Sequence, residues 1–423
     1  MTDLPGTEEA GPAVPIPTDL TDERLVGSGT GLSGWLSTLK SRLRGGDIGN
    51  LPVILGLVVI ALVFYSQEPS FLSSRQLVSI TQFAAPVGII SLGIVLVLLL
   101  GEIDLSVGSM SGLAAAIMTV QVVNHGHGLV FGMLAGILAG VVVGAFYAVL
   151  YLKIGVPSFV ISLAGLLGFQ GVLLQVLGKQ GTINLPDTFW LVEFARTKFV
   201  TGVASYLLVV GIIAIYVLAN LYGMQRRRKA GLSTPSLVGL LVRSALALAG
   251  LLWLTYYLNI DRGWGYLWLL FVVLVVAMDL ALRKTTWGRH VFAVGGNEEA
   301  ARRSGIKVGR IYLSVFVLCS TLASLGGMLI AAQLTSVSQA SGTTDTNLTA
   351  IAAAVIGGTS LFGGRGSAYA AMLGILVLQS IQSGLNVLGL GSPVRFMITG
   401  GVLLLAVSID SVARRARSSS GRG

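Results

Sequence analysis

The sequence is poor in the side chains that carry most soluble chemistry. Charged residues make up only 11% of its 423 positions, and it has one cysteine and three histidines. The single Cys319 lies in an apolar run, so it excludes an internal disulfide and carries no metal-binding spacing. His125 and His127 share a short Asn-His-Gly-His-Gly turn with no third ligand near in sequence, so no metal is expected there. The Gly-x-x-x-x-Gly-Lys-Ser/Thr loop that cradles phosphates is missing, which removes ATP hydrolysis by that route. The apolar segments hold no nucleophile–base or metal constellation, which argues against a membrane enzyme. No bound cofactor is expected.

What is abundant is apolar sequence. Hydrophobic residues reach 54% and the mean hydropathy is +0.83, far beyond a soluble domain of this size. Apolar segments recur at 50–66, 82–100, 109–123, 129–152, 157–178, 203–222, 236–258, 265–282, 311–333, 348–362, 367–389 and 394–410. Their length suits helices that cross a bilayer, and the short alternating segments of a transmembrane barrel are absent. The expected fold is all-α, a polytopic transmembrane helical bundle of about 10–12 spans with broken or half-helices. The 56 glycines fit close helix packing in lipid.

The net charge of +10 reads as topology, not nucleic-acid binding. With both termini inside, the inner connections collect the basic residues of the first tail, Lys153, Arg226–Lys229, the 283–310 loop, Arg365 and the last tail. The outer ones hold Arg75, Lys179, Arg196, Lys198, Arg262 and Arg395. The bias favours cytoplasmic N- and C-termini. Residues 1–47 form a tail whose first 30 residues are polar, acidic and without an apolar core, so the first span is expected to act as the insertion signal. Within that tail, Leu32, Trp35, Leu36, Leu39 and Leu43 fall at helical spacing among basic residues, giving either an interfacial helix over 31–44 or a solvated linker. Residues 48–411 are the membrane domain and 412–423 a basic tail.

Two glycine-rich breaks stand out. The first, Leu100-Gly101-Glu102-Ile103-Asp104-Leu105-Ser106-Val107-Gly108-Ser109, puts two carboxylates among apolar segments. Acids at membrane depth are costly and mark function. The second, Ser360-Leu361-Phe362-Gly363-Gly364-Arg365-Gly366-Ser367, carries an arginine instead. Each follows an apolar run and precedes a small-residue helix. The flanking segments 109–123 and 348–362 are short, so either is a half-helix or a kinked span. Asp104 either hydrogen-bonds a ligand or, with Gly101, Ser106, Gly108 and Ser109 as partners, holds the break in shape. The latter is favoured.

The 283–310 loop predicts a helix of about two turns. Asn297 caps it, Glu298 and Glu299 sit in its first turn, Ala300 and Ala301 favour it, Arg302 and Arg303 suit its last turn, and Gly305 ends it.

Here a resemblance enters. Ala293-Val294-Gly295-Gly296-Asn297-Glu298-Glu299-Ala300-Ala301-Arg302-Arg303-Ser304-Gly305-Ile306 closely resembles the cytoplasmic coupling motif of sugar permeases in ATP-binding-cassette importers. The Gly101–Ser109 break resembles their Gly-x-Ile-Asp-Leu-Ser-Val-Gly signature, and Ala352–Leu361 with Gly363-Gly364-Arg365-Gly366 is similar to a third block. The likeness spans roughly 70–410, and the additional pair of spans around 203–258 resembles the xylose-type subgroup more than the ribose type. It implies a permease subunit in the bacterial cytoplasmic membrane. Its partners would be a second permease copy, a cytoplasmic ATPase that uses ATP and Mg, and an extracytoplasmic sugar-binding protein, possibilities to which composition alone is silent. It also implies that Glu102, Asp104, Ser106, Ser109, Thr359 and Ser360 belong to the pathway or its gate. Gly295, Gly296, Asn297, Glu298, Glu299, Ala301, Arg302 and Gly305 would couple to the ATPase. A proton-coupled transporter using Glu102 and Asp104, or an importer of branched-chain amino acids or nucleosides with the same architecture, is the alternative. The outer segments 179–201 and 334–347 are the expected docking face, and Trp190, Trp264 and Trp268 are expected as interfacial anchors.

Overall fold

The computed structural model describes residues 51–391 apart from 233, with scattered positions between 393 and 408. The first tail with its 31–44 segment, the basic tail 412–423 and much of the 394–410 segment lie outside the described residues. In chain order the elements are α1 (Leu51–Gln67), α2 (Ser74–Leu99), α3 (Val107–Thr119), α4 (Leu129–Val149), α5 (Ser158–Leu177), β1 (Thr182–Asn184), α6 (Trp190–Arg196), β2 (Phe199–Val200), α7 (Gly202–Lys229), α8 (Leu237–Asn259), β3 (Trp264–Gly265), α9 (Tyr266–Lys284), α10 (Thr286–Gly296), α11 (Glu298–Arg303), α12 (Val308–Leu334), β4 (Ser336–Ser338), α13 (Thr344–Ile356) and α14 (Tyr369–Val387). Among the described residues nine helices are long and apolar enough to cross a membrane. The fold is an all-α polytopic bundle.

Two expectations about the spans change. α2 begins at Ser74, not near 82, because the Ser73 hydroxyl accepts the Gln76 N–H at 3.4 Å and caps it; Pro86 is carried inside the helix. The 109–123 segment is no half-helix by length. α3 runs on through a π-helical turn at Val120–Asn124, giving an 18-residue apolar segment, roughly 27 Å long at 1.5 Å per residue. α13, at 13 residues, is roughly 20 Å long and falls short of the ~30 Å hydrocarbon core.

The chain forms two compact units. One contains Tyr206–Leu254, most of α7 and α8, joined through the basic turn after Arg226-Arg227-Arg228-Lys229. The other contains the described residues of 51–205 and of Thr255 onward. The larger unit is built around α2, whose residues Ile89 to Leu99 are all buried. α2 packs on α12, α14, α13 and α9, and α3 packs on α5, α4 and α12.

Close approach of α4 follows from its sequence. Gly132, Gly136, Gly140 and Gly144 recur every four residues and form its buried face. A Cβ at Gly136 would stand 2.9 Å from the Ala114 carbonyl oxygen, one at Gly140 2.7 Å from that of Ser320, and one at Gly144 2.5 Å from that of Phe316. The glycines thus admit the backbones of α3 and α12, the small-residue packing that lipid-embedded helices use. Gly140→Leu is expected to destabilise the fold by about 1–3 kcal/mol or more through overpacking. Gly168→Leu on α5, where a Cβ meets nothing within 4 Å, is the control. Detergent melting curves of the two variants check this.

The outer segments are more structured than loops. β1 pairs antiparallel with β4, Ile183 opposite Val337, and β2 with β3, Phe199 opposite Gly265. Trp190 is half exposed, as an anchor would be, but Trp264 and Trp268 are buried. The Trp264 indole N–H donates to Thr255 Oγ1 at 3.0 Å. These two rings therefore pack inside the protein, Trp264 with a hydroxyl partner for its indole N–H and Trp268 against the Phe271 ring.

Candidate functional site

The first break is a helix end of defined chemistry. Gly101 takes φ +82°, a left-handed conformation suited to glycine. Its N–H donates to the Leu98 carbonyl at 2.9 Å, and the Glu102 N–H donates to Val97 at 3.2 Å, the paired bonds of a Schellman motif. Two of α2's last carbonyls are thereby satisfied, and that of Leu99 is left over. It accepts the Gly364 N–H at 2.9 Å, from the second break.

α13 ends the same way. Gly358 donates to Val355 and Thr359 to Ala354, with Gly358 at φ +100°. At its other end Asn347 Nδ2 donates to the Leu105 carbonyl at 2.6 Å. The break between α2 and α3 is therefore held at Leu99 by the turn after α13 and at Leu105 by α13's first turn. The likeness of the two glycine-rich breaks in sequence corresponds to physical contact.

The third participant is the expected coupling segment. α11 spans Glu298–Arg303; Asn297 Oδ1 accepts the Ala300 N–H at 2.9 Å, and Gly305 at φ +82° closes a third Schellman end with Ile306 bonded to Ala301. Glu298 pairs with Arg302 at 2.5 Å and Glu299 with Arg303 at 3.0 Å on its exposed face, while Ala301 is buried. The sequence reading missed α10 ahead of it. Its signal is Thr285, whose hydroxyl accepts the Gly288 N–H, followed by Val291 and Val294 on one buried face. Trp287 Nε1 donates to Ser314 Oγ at 2.8 Å and fastens α10 to α12.

Gly295, near the end of α10, lies directly on both breaks. A Cβ there would fall on the Leu99 carbonyl and 3.0 Å from the Gly364 nitrogen, and one on Gly363 would stand 2.9 Å from the Gly101 nitrogen. Three glycine-bearing segments far apart in sequence thus meet backbone to backbone. Gly296 is different, since a Cβ there meets nothing within 4 Å.

The two acids are built in. Asp104 is buried, and its Oδ1 accepts the Ser106 N–H at 2.8 Å and the Ser106 hydroxyl at 2.7 Å, an Asx-type turn. Its Oδ2 lies 3.9 Å from Cys319 Sγ. Glu102 Oε1 accepts the Tyr151 hydroxyl at 2.7 Å and Oε2 the Ser158 hydroxyl at 2.5 Å. Ser109 Oγ donates to the Ser106 carbonyl at 3.0 Å. Ser360 Oγ accepts the Phe362 N–H at 3.2 Å, and the buried Thr359 Oγ1 has no partner among the described residues. Tyr147, Tyr151, Ser158 and Asn347 escaped the sequence reading because each lies on a distant element. Their proximity to the acids exists only in three dimensions.

His125 and His127 both direct Nδ1 to Gln121 Oε1, at 3.3 and 2.8 Å. Among the described residues no group of three or more potential metal ligands occurs.

Apolar helices of membrane-crossing length, interrupted by glycine-rich breaks, are those of a multi-pass membrane protein. The chain belongs to the family described as branched-chain amino acid transport system / permease component, which it matches over residues 76–407. It is 32% identical to the xylose transport system permease protein of Escherichia coli (strain K12) over 386 residues, covering 90% of this chain and 96% of that one. The Haemophilus influenzae protein of the same name is 33% identical, covering 86% and 96%. The ribose import permease protein of Bacillus subtilis (strain 168) is 30% identical, covering 89% and 97%. No solved structure matches. The chain is thus a transport permease component and not an enzyme, and a permease component works with the other parts of its transport system.

Proposed function

We propose that this chain is the membrane-spanning permease subunit of an ATP-driven importer for a monosaccharide, with a pentose such as D-xylose as substrate. It works as a homodimer with a cytoplasmic ATP-binding-cassette ATPase and an extracytoplasmic sugar-binding protein. It lies in the bacterial cytoplasmic membrane with both termini inside, and residues 48–411 form the permease domain. ATP and Mg are used by the ATPase alone. The names of the relatives support the sugar, and the basic residues of the inner connections support the orientation.

The observation that carries the mechanism is the junction of Gly295, Leu99 and Gly364. The exposed face of α11 is a handle for the ATPase, and α10 delivers its displacement to the Leu99–Gly364 hydrogen bond. Moving that bond moves the ends of α2 and α13 together, which suits a two-state gate. Glu102, Asp104, Ser106 and Ser109 shape the gate through internal hydrogen bonds. Thr359 Oγ1 has an acceptor and donor to spare.

The test is uptake into proteoliposomes containing the permease and its ATPase, with ATP inside and the binding protein outside. D-xylose uptake that survives an uncoupler is the expected result. Uptake that needs the proton gradient and ignores ATP would overturn ATP coupling in favour of Glu102 and Asp104 as proton carriers. L-leucine uptake in place of D-xylose would overturn the sugar and agree with the family's description. In the same vesicles, Glu298→Gln and Arg302→Gln are expected to cut substrate moved per ATP several-fold. Melting should scarcely change, because an exposed i,i+4 pair contributes only about 0.3–0.5 kcal/mol.

A further inference from the structure

Between α11 and the acidic break stands a cluster of four aromatic rings that the gating junction does not use. Tyr147 lies near the end of α4 and Tyr151 in the π-helical turn Leu150–Ile154 that continues it, while Tyr312 and Phe316 lie four apart on one face of α12. The rings interlock. Tyr151 and Tyr312 have centroids 4.6 Å apart, Tyr151 and Phe316 5.9 Å, Tyr312 and Phe316 6.3 Å, and Tyr147 and Phe316 6.5 Å.

Each tyrosine ends on a different part of the machinery. The Tyr312 hydroxyl donates to Glu298 Oε2 at 3.2 Å, on α11. The Tyr151 hydroxyl donates to Glu102 Oε1 at 2.7 Å. The Tyr147 hydroxyl donates at 2.8 Å to Ser106 Oγ, which in turn donates to Asp104. Tyr151 also sits in the π-helical turn Leu150–Ile154, an irregularity that recurs at functional sites. Phe316 and Tyr312 are buried, so the rings have packed neighbours and little freedom to move independently.

We infer that Tyr312 and Tyr151 are positioning residues that relay displacement of Glu298 on α11 to Glu102 in the break, with Phe316 as the packed support between their helices. This rests on the proposed coupling role of α11. It supplies a second, side-chain route beside the backbone contact at Gly295. A shift of α11 pulls Glu298 against the Tyr312 hydroxyl. The interlocked rings carry the shift to Tyr151, and the Glu102 carboxylate follows its hydroxyl donor.

The experiment is a double-mutant cycle, which isolates the coupling of Glu298 and Glu102, each hydrogen-bonded to a different tyrosine of the cluster. Permease-stimulated ATP hydrolysis is measured in the reconstituted complex of the full chain with its ATPase, for Glu298→Gln, Glu102→Gln and the double variant. The same three are measured on a Tyr312→Leu background. The expected result is non-additivity of at least fivefold with Tyr312 present and additive effects with leucine there. Additive effects in both backgrounds overturn the relay and leave the function proposal standing. No effect of Glu298→Gln on either hydrolysis or substrate moved per ATP overturns both the relay and the coupling role of α11 on which it rests. A second readout protects against loss of folding: 3-fluorotyrosine at position 151, in otherwise native chain, is expected to shift its fluorine resonance when the ATPase binds. Tyr312→Phe keeps the ring but removes the hydroxyl and should abolish that shift. A shift unchanged in Tyr312→Phe overturns the relay.

Discussion

Gly295→Val is expected to reduce ATP-driven uptake at least a hundredfold, the largest loss from any single change at the junction. A valine Cβ would overlap the Leu99 carbonyl oxygen and stand 2.8 Å from the Leu99 carbonyl carbon and 3.0 Å from the Gly364 nitrogen. These are backbone atoms and cannot rotate aside. α10 must withdraw, and the hydrogen bond from Gly364 to Leu99 is displaced with it. The α2 carbonyl is then left without its donor in a buried site, at a cost of about 1–3 kcal/mol. The hundredfold figure corresponds to about 2.7 kcal/mol. Gly296→Ala is the internal control. Its Cβ would enter open space, and uptake should stay within about twofold of the parent. Equal losses at the two positions would show that the glycines matter for chain flexibility and not for contact.

The second large effect is expected at Asp104. In Asp104→Leu, the Ser106 N–H and hydroxyl lose the oxygen that takes both of them. Each is buried, and a stranded donor costs about 1–3 kcal/mol, so a loss of about 2–6 kcal/mol and failure to assemble on detergent sizing are expected. In Asp104→Asn, the amide oxygen can still accept both donors. That variant should assemble, lose about 1 kcal/mol or less in melting, and transport less. An Asp104→Asn chain that melts like the parent but binds no substrate would make the carboxylate a ligand group and not a brace.

Several features of this chain could be read before any fold was known. Apolar runs of membrane-crossing length announced the spans because the bilayer demands long helices with every backbone bond satisfied internally. α11 was legible to the residue. Its cap, first-turn acids, last-turn bases and terminal glycine act within a few positions of one another, and local sequence specifies local hydrogen bonds. α2's start and α10 were less legible. α10 carries a buried face but lies in a stretch dense with charge, and its short length hides its period.

Sequence by itself thus determined the class of this protein, most of its apolar helical segments, the position of its breaks and the capped helix between spans. Those depend on hydropathy and on contacts over a few residues. Only the tertiary structure decided what the breaks do to each other. The contact of Gly295 with Leu99 joins segments nearly two hundred residues apart and brings in Gly364 from further along the chain, and nothing local encodes which glycine of the Gly295-Gly296 pair faces a backbone. It also decided that Glu102 is supplied with donors from Tyr151 and Ser158, whereas Ser106, two residues from Asp104, was already within reach of the local sequence. A carboxylate's role depends on which donors packing brings to it, and packing is a property of the whole bundle.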